Sequence, residues 1–168
     1  MLILTSVLSI ALGLTDFVGD GDVDRSVQTE AHRAFQRLSE VLRKSGWVTE
    51  GDVTHPRVLA GGTELEFRCL ADLDMNGYAF DGSTGDLEWN PTVYTVRLDE
   101  SDGSLGIHVG PNRALLLGRH VTSIEFKTSA EDGSLYPQEV QVSLTTQRTD
   151  SQKDPIKYAF TGSIHMRN

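Results

Sequence analysis

The sequence predicts an α+β fold in which a long N-terminal helix, apolar in its first half and amphipathic in its second, packs on an antiparallel β-sheet. Three observations predict this fold: an uncharged run over residues 1–15, apolar residues at steps of three and four up to residue 42, and alternating strand patterns beyond residue 47. The 168 residues are enough for one domain with an appendage. The expected parts are an apolar helix segment with a glycine joint (1–21), an amphipathic helix (22–46) and a β-rich head (47–168).

The apolar segment favours a helix that partitions into a membrane or into a filament core. About 20 apolar residues are needed to cross a bilayer, so this uncharged run is short for a complete span. No basic residue precedes it, which argues against a secretory signal peptide, while a buried core helix is the alternative. Gly19 and Gly21 then form a weak helical point or a simple loop. The apolar residues expected to drive assembly are Leu2, Leu4, Val7, Leu8, Ala11, Leu12 and Leu14.

The second segment reads as an amphipathic helix with recognisable ends. Asp22 and Asp24 suit the helix start, where carboxylates satisfy free N–H groups. Arg43 and Lys44 suit its last turn, and Gly46 is expected to take the left-handed conformation just beyond it. The residues predicted to pack the helix against the sheet are Val27, Ala31, Phe35, Leu38 and Leu42.

The head, residues 47–168, is predicted to consist mainly of β-strands. Apolar residues alternate before and after Asp102-Gly103, a pair that tolerates positive φ, and this predicts a hairpin. A second pair of strands is expected around Asp132-Gly133, and further strands at each end of the head. The predicted strands are Thr63–Leu70, Tyr94–Leu98, Leu105–Val109, Val121–Lys127, Val140–Leu144 and Ile156–Met166.

Charge and motifs argue against several classes of function. The net charge is −9, with −2 on residues 1–21, +1 on 22–46 and −8 on the rest, so the head lacks the basic surface that binds nucleic acid. Cys69 is the lone cysteine and is expected to be a buried apolar thiol. The histidines are scattered, without a metalloprotease pattern or a nucleophile elbow. We therefore predict a protein that is not an enzyme.

One stretch has the pattern of a cation-binding loop. Oxygen-bearing side chains alternate before Gly77, as in the first half of a calcium loop. Ser83 stands at the twelfth position, where a bidentate Glu is expected, so Asp81, Asp86 or Glu88 would have to supply the last carboxylate. The alternative is a polar turn held by its own hydrogen bonds. The predicted calcium ligands are Asp72, Asp74, Asn76 and Asp81.

The order of these elements, with an amphipathic helix reading EAHRAFQRLSEVLRKSG and a closing strand ending in HMRN, resembles type IV pilin-like proteins. The closest resemblance is to minor pilins and type II secretion pseudopilins (PilW- and GspJ-like). Met1–Leu8 is similar to the stretch that follows the Gly-Phe-Thr-Leu-Ile-Glu sequence of their precursors. That sequence does not occur here, and we expect it before Met1, since about five more residues complete a span.

The resemblance implies a structural subunit that assembles through its N-terminal helix into a type IV pilus-like or type II secretion filament. Its implied partners are other pilin-like subunits and an inner-membrane assembly platform. The implied location is the inner membrane of a bacterial envelope, with a periplasmic or extracellular head. Some pseudopilins bind calcium, which is the one cofactor implied. The alternative function is a membrane-anchored extracytoplasmic binding or sensor domain.

Overall fold

The fold comprises one helix and ten strands in a computed structural model that describes residues 23–149 and 154–166. Helix α1 spans residues 23–42, and a short 3-10 turn spans Ala60–Gly62. The predicted α+β class is confirmed. The expected apolar half of the long helix, from Leu2 to Leu14, lies outside the described residues. The strands are β1 (Val48–Glu50), β2 (Val53–His55), β3 (Arg57–Leu59), β4 (Glu64–Phe67), β5 (Tyr94–Asp99), β6 (Ser104–Val109), β7 (Asn112–Gly118), β8 (Val121–Lys127), β9 (Glu139–Thr149) and β10 (Pro155–His165).

The strands form two larger sheets and one small hairpin, all antiparallel. The five-stranded sheet has the order β3-β4-β5-β6-β7, the three-stranded sheet has the order β10-β9-β8, and β1 pairs with β2. The predicted hairpin is confirmed, because Leu98 lies opposite Leu105 and Gly103 has a φ of 64°. The predicted pairing of the strands around Asp132-Gly133 is confirmed as β8 with β9.

A single apolar core joins α1 to both sheets. The helix contributes side chains at steps of three and four that are nearly inaccessible to solvent, and Phe35 is half-buried with its ring centroid 4.8 Å from that of Phe160 on β10. Burial of this stripe supplies the main stabilisation of a helix that would be marginal alone. The buried helix residues are Val27, Ala31, Ala34, Leu38 and Leu42. The last four share one core cluster with sheet residues that include Leu65, Phe67, Val96, Leu105, Leu117, Ile124, Phe126, Val142 and Leu144.

Polar contacts also hold α1 to the strands. Thr146 Oγ1 on β9 donates to the carbonyl oxygen of Val27 at 3.0 Å, and this contact is buried. Near the middle of the helix, Arg37 Nη1 donates to the carbonyl oxygen of Leu117 on β7 at 3.1 Å. These contacts lie on different sheets, so the position of α1 is fixed against both.

The end of α1 differs from the prediction. The helix ends at residue 42, and Gly46 does not take the left-handed conformation expected of it. Ser45 Oγ donates to the carbonyl oxygen of Leu42 at 2.6 Å, and Leu70 N–H donates to the carbonyl oxygen of Lys44 at 3.0 Å. The carbonyls of Ser39, Val41 and Leu42 also accept from the N–H groups of residues 43, 44 and 45 at 2.9–3.0 Å. The last helix carbonyls are therefore satisfied without a glycine cap.

Ser45 also forms an isolated β-bridge with Cys69. The Cys69 side chain is half-buried, and burial raises the pKa of its thiol. This favours the neutral, weakly reactive form expected of a packing residue. Among the residues described, no helix combines the length and the apolar character that a membrane crossing takes.

Candidate functional site

The candidate site is the acidic loop, residues 70–90, which connects β4 to β5. Isolated antiparallel bridges pair Leu70 with Trp89 and Phe80 with Leu87, so the second half of the loop runs back beside the first half. It begins beside the end of α1, where Leu70 N–H donates to Lys44. Five carboxylates and no Lys or Arg lie between residues 70 and 90, which gives this surface a strong negative charge.

Three of these carboxylates gather at one point. Oxygen atoms of Asp72, Asp74 and Glu88 all lie within 4.8 Å of one another, with both aspartates exposed and Glu88 partly buried. Such close like charges repel, and a bound cation would relieve that repulsion. The donors are all hard oxygens, the type that calcium prefers. The structure thus brings two predicted ligands together with Glu88, which the sequence offered as one of three sources of a further carboxylate.

The same carboxylates accept hydrogen bonds from the loop backbone. Asp72 accepts from Asn76 N–H at 3.0 Å and from Gly77 N–H at 2.9 Å. Asp74 Oδ2 accepts from Gly82 N–H at 3.1 Å, and Glu88 accepts from Leu73 N–H. The Gly82 hydrogen bond is the main reason that the pKa of Asp74 lies below its usual range. These carboxylates therefore help to fix the shape of the loop.

The other two predicted ligands have different contacts. Asn76 donates from Nδ2 to Asp74 Oδ2 at 2.8 Å, and its Oδ1 accepts from Tyr78 N–H at 2.8 Å. Asp81 is outside the group of three and caps its own turn, where the Ser83 hydroxyl and backbone lower the pKa of Asp81. Ligation of calcium by Asn76 or Asp81 stays a prediction. The two interpretations of the loop, a cation site and a polar turn, make opposite predictions about calcium.

We expect excess calcium to raise the melting temperature of the protein, because a ligand that binds the native state stabilises it. The substitution Asp74→Asn should remove most of the rise, since it takes one charge from the group of three. Magnesium should give a smaller rise because it demands a tighter, near-octahedral set of ligands. Differential scanning fluorimetry with added calcium, magnesium or chelator measures this. An unchanged melting temperature would assign the loop to the polar-turn interpretation.

The acid stability of the protein should depend on Asp74. Its pKa is lower in the folded chain than in the unfolded chain, so its stabilising contribution is present above about pH 4 and is lost as the pH falls below that value. Melting temperatures recorded from pH 6 down to pH 3 should therefore decline less steeply in Asp74→Asn than in the parent chain. The matched control is Asp86→Asn, which removes one exposed carboxylate from the same loop outside the group of three. Equal slopes for all three chains would exclude this role for Asp74.

The acidic loop also exposes apolar side chains, which sequence reasoning missed. The exposed fractions are 57% for Leu73, 90% for Met75, 71% for Tyr78 and 50% for Phe80. Leu73 and Met75 alternate with Asp72, Asp74 and Asn76, whose side chains form hydrogen bonds within the loop. The apolar side chains therefore face solvent. The signal was present in the stretch from Asp72 to Phe80, which mixes acidic and large apolar residues. Contiguous exposed apolar surface marks interaction sites in soluble proteins.

Comparison with known proteins gives no relative for this chain. No protein-family model matches it, and no curated protein or solved structure matches it significantly.

Proposed function

We propose that this protein is a non-enzymatic structural subunit of the minor pilin or pseudopilin type. Its N-terminal helix would assemble into a type IV pilus-like or type II secretion filament, with the head in the periplasm or outside the cell. Other pilin-like subunits and an inner-membrane assembly platform would be its partners. No chemistry is needed for this role, which depends on helix packing and on the surface of the head.

One observation carries the proposal: the amphipathic helix α1 follows an uncharged apolar segment after a short acidic joint, residues 16–22, and packs against antiparallel sheets. Through the glycine joint, the apolar segment would attach this firmly packed head to a membrane or filament. Small residues such as Ala11 and Gly13 in that segment suit close helix packing.

The acidic loop favours a second candidate function, a membrane-anchored binding or sensor domain. Its clustered carboxylates and exposed apolar side chains form a surface suited to a cation or a protein partner. Both candidates require a membrane-associated N-terminal segment. They differ in whether many copies associate through that segment.

The N-terminal sequence and mass of the protein isolated from its native cells test the proposal. We expect an N-methylated first residue shortly before Met1, with glutamate immediately preceding Met1. An unmodified chain that starts at Met1, or one with a long cytosolic extension, would overturn the pilin-type assignment and favour the anchored binding domain.

A further inference from the structure

The acidic loop exposes carboxylates and large apolar side chains on one surface, a combination suited to a protein partner. Its carboxylates accept hydrogen bonds from the loop backbone, whereas Leu73, Met75, Tyr78 and Phe80 project into solvent. Exposure of large apolar side chains is unfavourable. Within residues 23–149 and 154–166, no other part of the chain covers them. The partner surface must therefore accept apolar side chains surrounded by negative charge.

The outer face of α1, together with the two residues that follow the helix, has the complementary chemistry. Arg37 belongs to this surface and also donates to the Leu117 carbonyl on β7. Residues 25–44 hold five of the 15 lysines and arginines of the chain. All five side chains are exposed, and none forms an ion pair within the parts of the chain that the structure describes. Exposed acidic residues on the helix are few, namely Asp24 and Glu40. We call these five residues the basic face: Arg25, Arg33, Arg37, Arg43 and Lys44.

We propose that the acidic loop of one copy docks on the basic face of a second copy. The carboxylates would pair with the arginines, while Tyr78 and Phe80 would lie against guanidinium planes. Met75 and Leu73 would cover the apolar stems of the long basic side chains. This inference rests on the proposed assembly function and names the contact between heads.

The two surfaces also determine the kind of assembly. Both are exposed on the same chain, so the loop of a copy does not cover the helix of that copy. The loop and the helix face are different patches, which makes the contact heterologous. Repetition of a heterologous contact produces either a ring or an open chain of subunits, and an open chain is what a filament requires.

Photocrosslinking of the full chain in detergent tests the contact. The substitution Met75→p-benzoylphenylalanine places a photoreactive group on the most exposed large apolar residue of the loop. Mixing isotope-labelled with unlabelled copies identifies crosslinks between chains. We expect crosslinks to residues 33–44 of the other copy. Tyr136 is as exposed as Tyr78, at 71%, and lies outside the loop, so Tyr136→p-benzoylphenylalanine is the matched control. It should not crosslink to α1.

Charge reversal gives an independent measurement. Arg33→Glu combined with Arg43→Glu should lower the yield of this crosslink by about tenfold, since each exposed ion pair contributes modestly. Asp86→Lys in the partner copy should restore part of the yield. A normal far-UV spectrum and melting temperature establish that the reversed chain is folded. Crosslinks from position 75 that map elsewhere, or a yield unaffected by reversal, would overturn the contact.

The crosslinking experiment and the N-terminal analysis can fail independently of each other. A methylated N-terminus with crosslinks elsewhere would overturn the loop-to-helix contact alone. Crosslinks to α1 in a protein with an unmodified N-terminus would support the contact and count against the pilin-type assignment.

Discussion

The substitution Leu38→Ala is expected to lower the free energy of unfolding by about 3 kcal/mol. Leu38 is completely buried near the middle of α1, within the core that joins the helix to both sheets. Removal of its side chain takes away apolar contacts and leaves a cavity that the surrounding strands cannot fill without moving. Urea denaturation followed by far-UV circular dichroism measures the loss.

The control for this prediction is Leu115→Ala on β7. The Leu115 side chain is 45% exposed, and exposed substitutions usually change stability by no more than about 0.5 kcal/mol. A large difference between the two variants is expected because they remove the same atoms from opposite environments. Equal effects would contradict the packing of α1 on the sheets, and with it the observation that carries the proposed function.

Much of this fold was predictable because its patterns are local. The stripe from Val27 to Leu42 follows the helical repeat, and the alternation on either side of Asp102-Gly103 follows the pleat of a hairpin. The strand predicted as Ile156–Met166 matches β10, in which Tyr158, Phe160 and Ile164 all face the core side. Residues with a single strong periodicity were therefore assigned correctly.

The parts that were missed lack such periodicity. Strands β1, β2 and β3 have three residues each, too few to show alternation. Strand β7 contains a continuous run of Leu115, Leu116 and Leu117, and only its end is buried. The turn that follows α1 pairs through Lys44 with Leu70, which is distant in sequence. Nothing local signals contacts of this kind.

In the candidate site too, local patterns were predictable and contacts between distant residues were not. Asp72 and Asp74 were identified because their spacing around Gly77 follows a known loop pattern. Glu88 joins them only because the loop folds back, with its backbone paired to Ala71 and Ala79. The outward position of Met75 likewise follows from hydrogen bonds formed by its neighbours. Tertiary closure of the loop, which one sequence does not reveal, therefore sets the chemistry of this surface.

The second large effect is expected at Gly118, where β7 of the five-stranded sheet passes close to Ala34 of α1. A Cβ atom at position 118 would lie 2.7 Å from the Cβ atom of Ala34, a distance at which the helix and β7 must move apart. The Ala34 side chain has no rotamer that relieves the clash. Gly118→Ala should therefore lower the free energy of unfolding by about 2 kcal/mol, the usual cost of overpacking a core.

The companion substitution Gly133→Ala provides the control, because a Cβ atom there meets no atom within 4 Å. It should leave the stability nearly unchanged or raise it slightly, since alanine restricts the unfolded chain.

Adding Ala34→Gly to Gly118→Ala should restore only part of the loss, because glycine inside a helix costs about 1 kcal/mol itself. This partial recovery would identify the clash with Ala34 as the cause. If alanine at position 118 were destabilising for another reason, removal of the Ala34 methyl group would not recover any stability. A fully tolerated Gly118→Ala would place α1 farther from β7 than the structure has it, and the basic face would then lie at a different angle to the head.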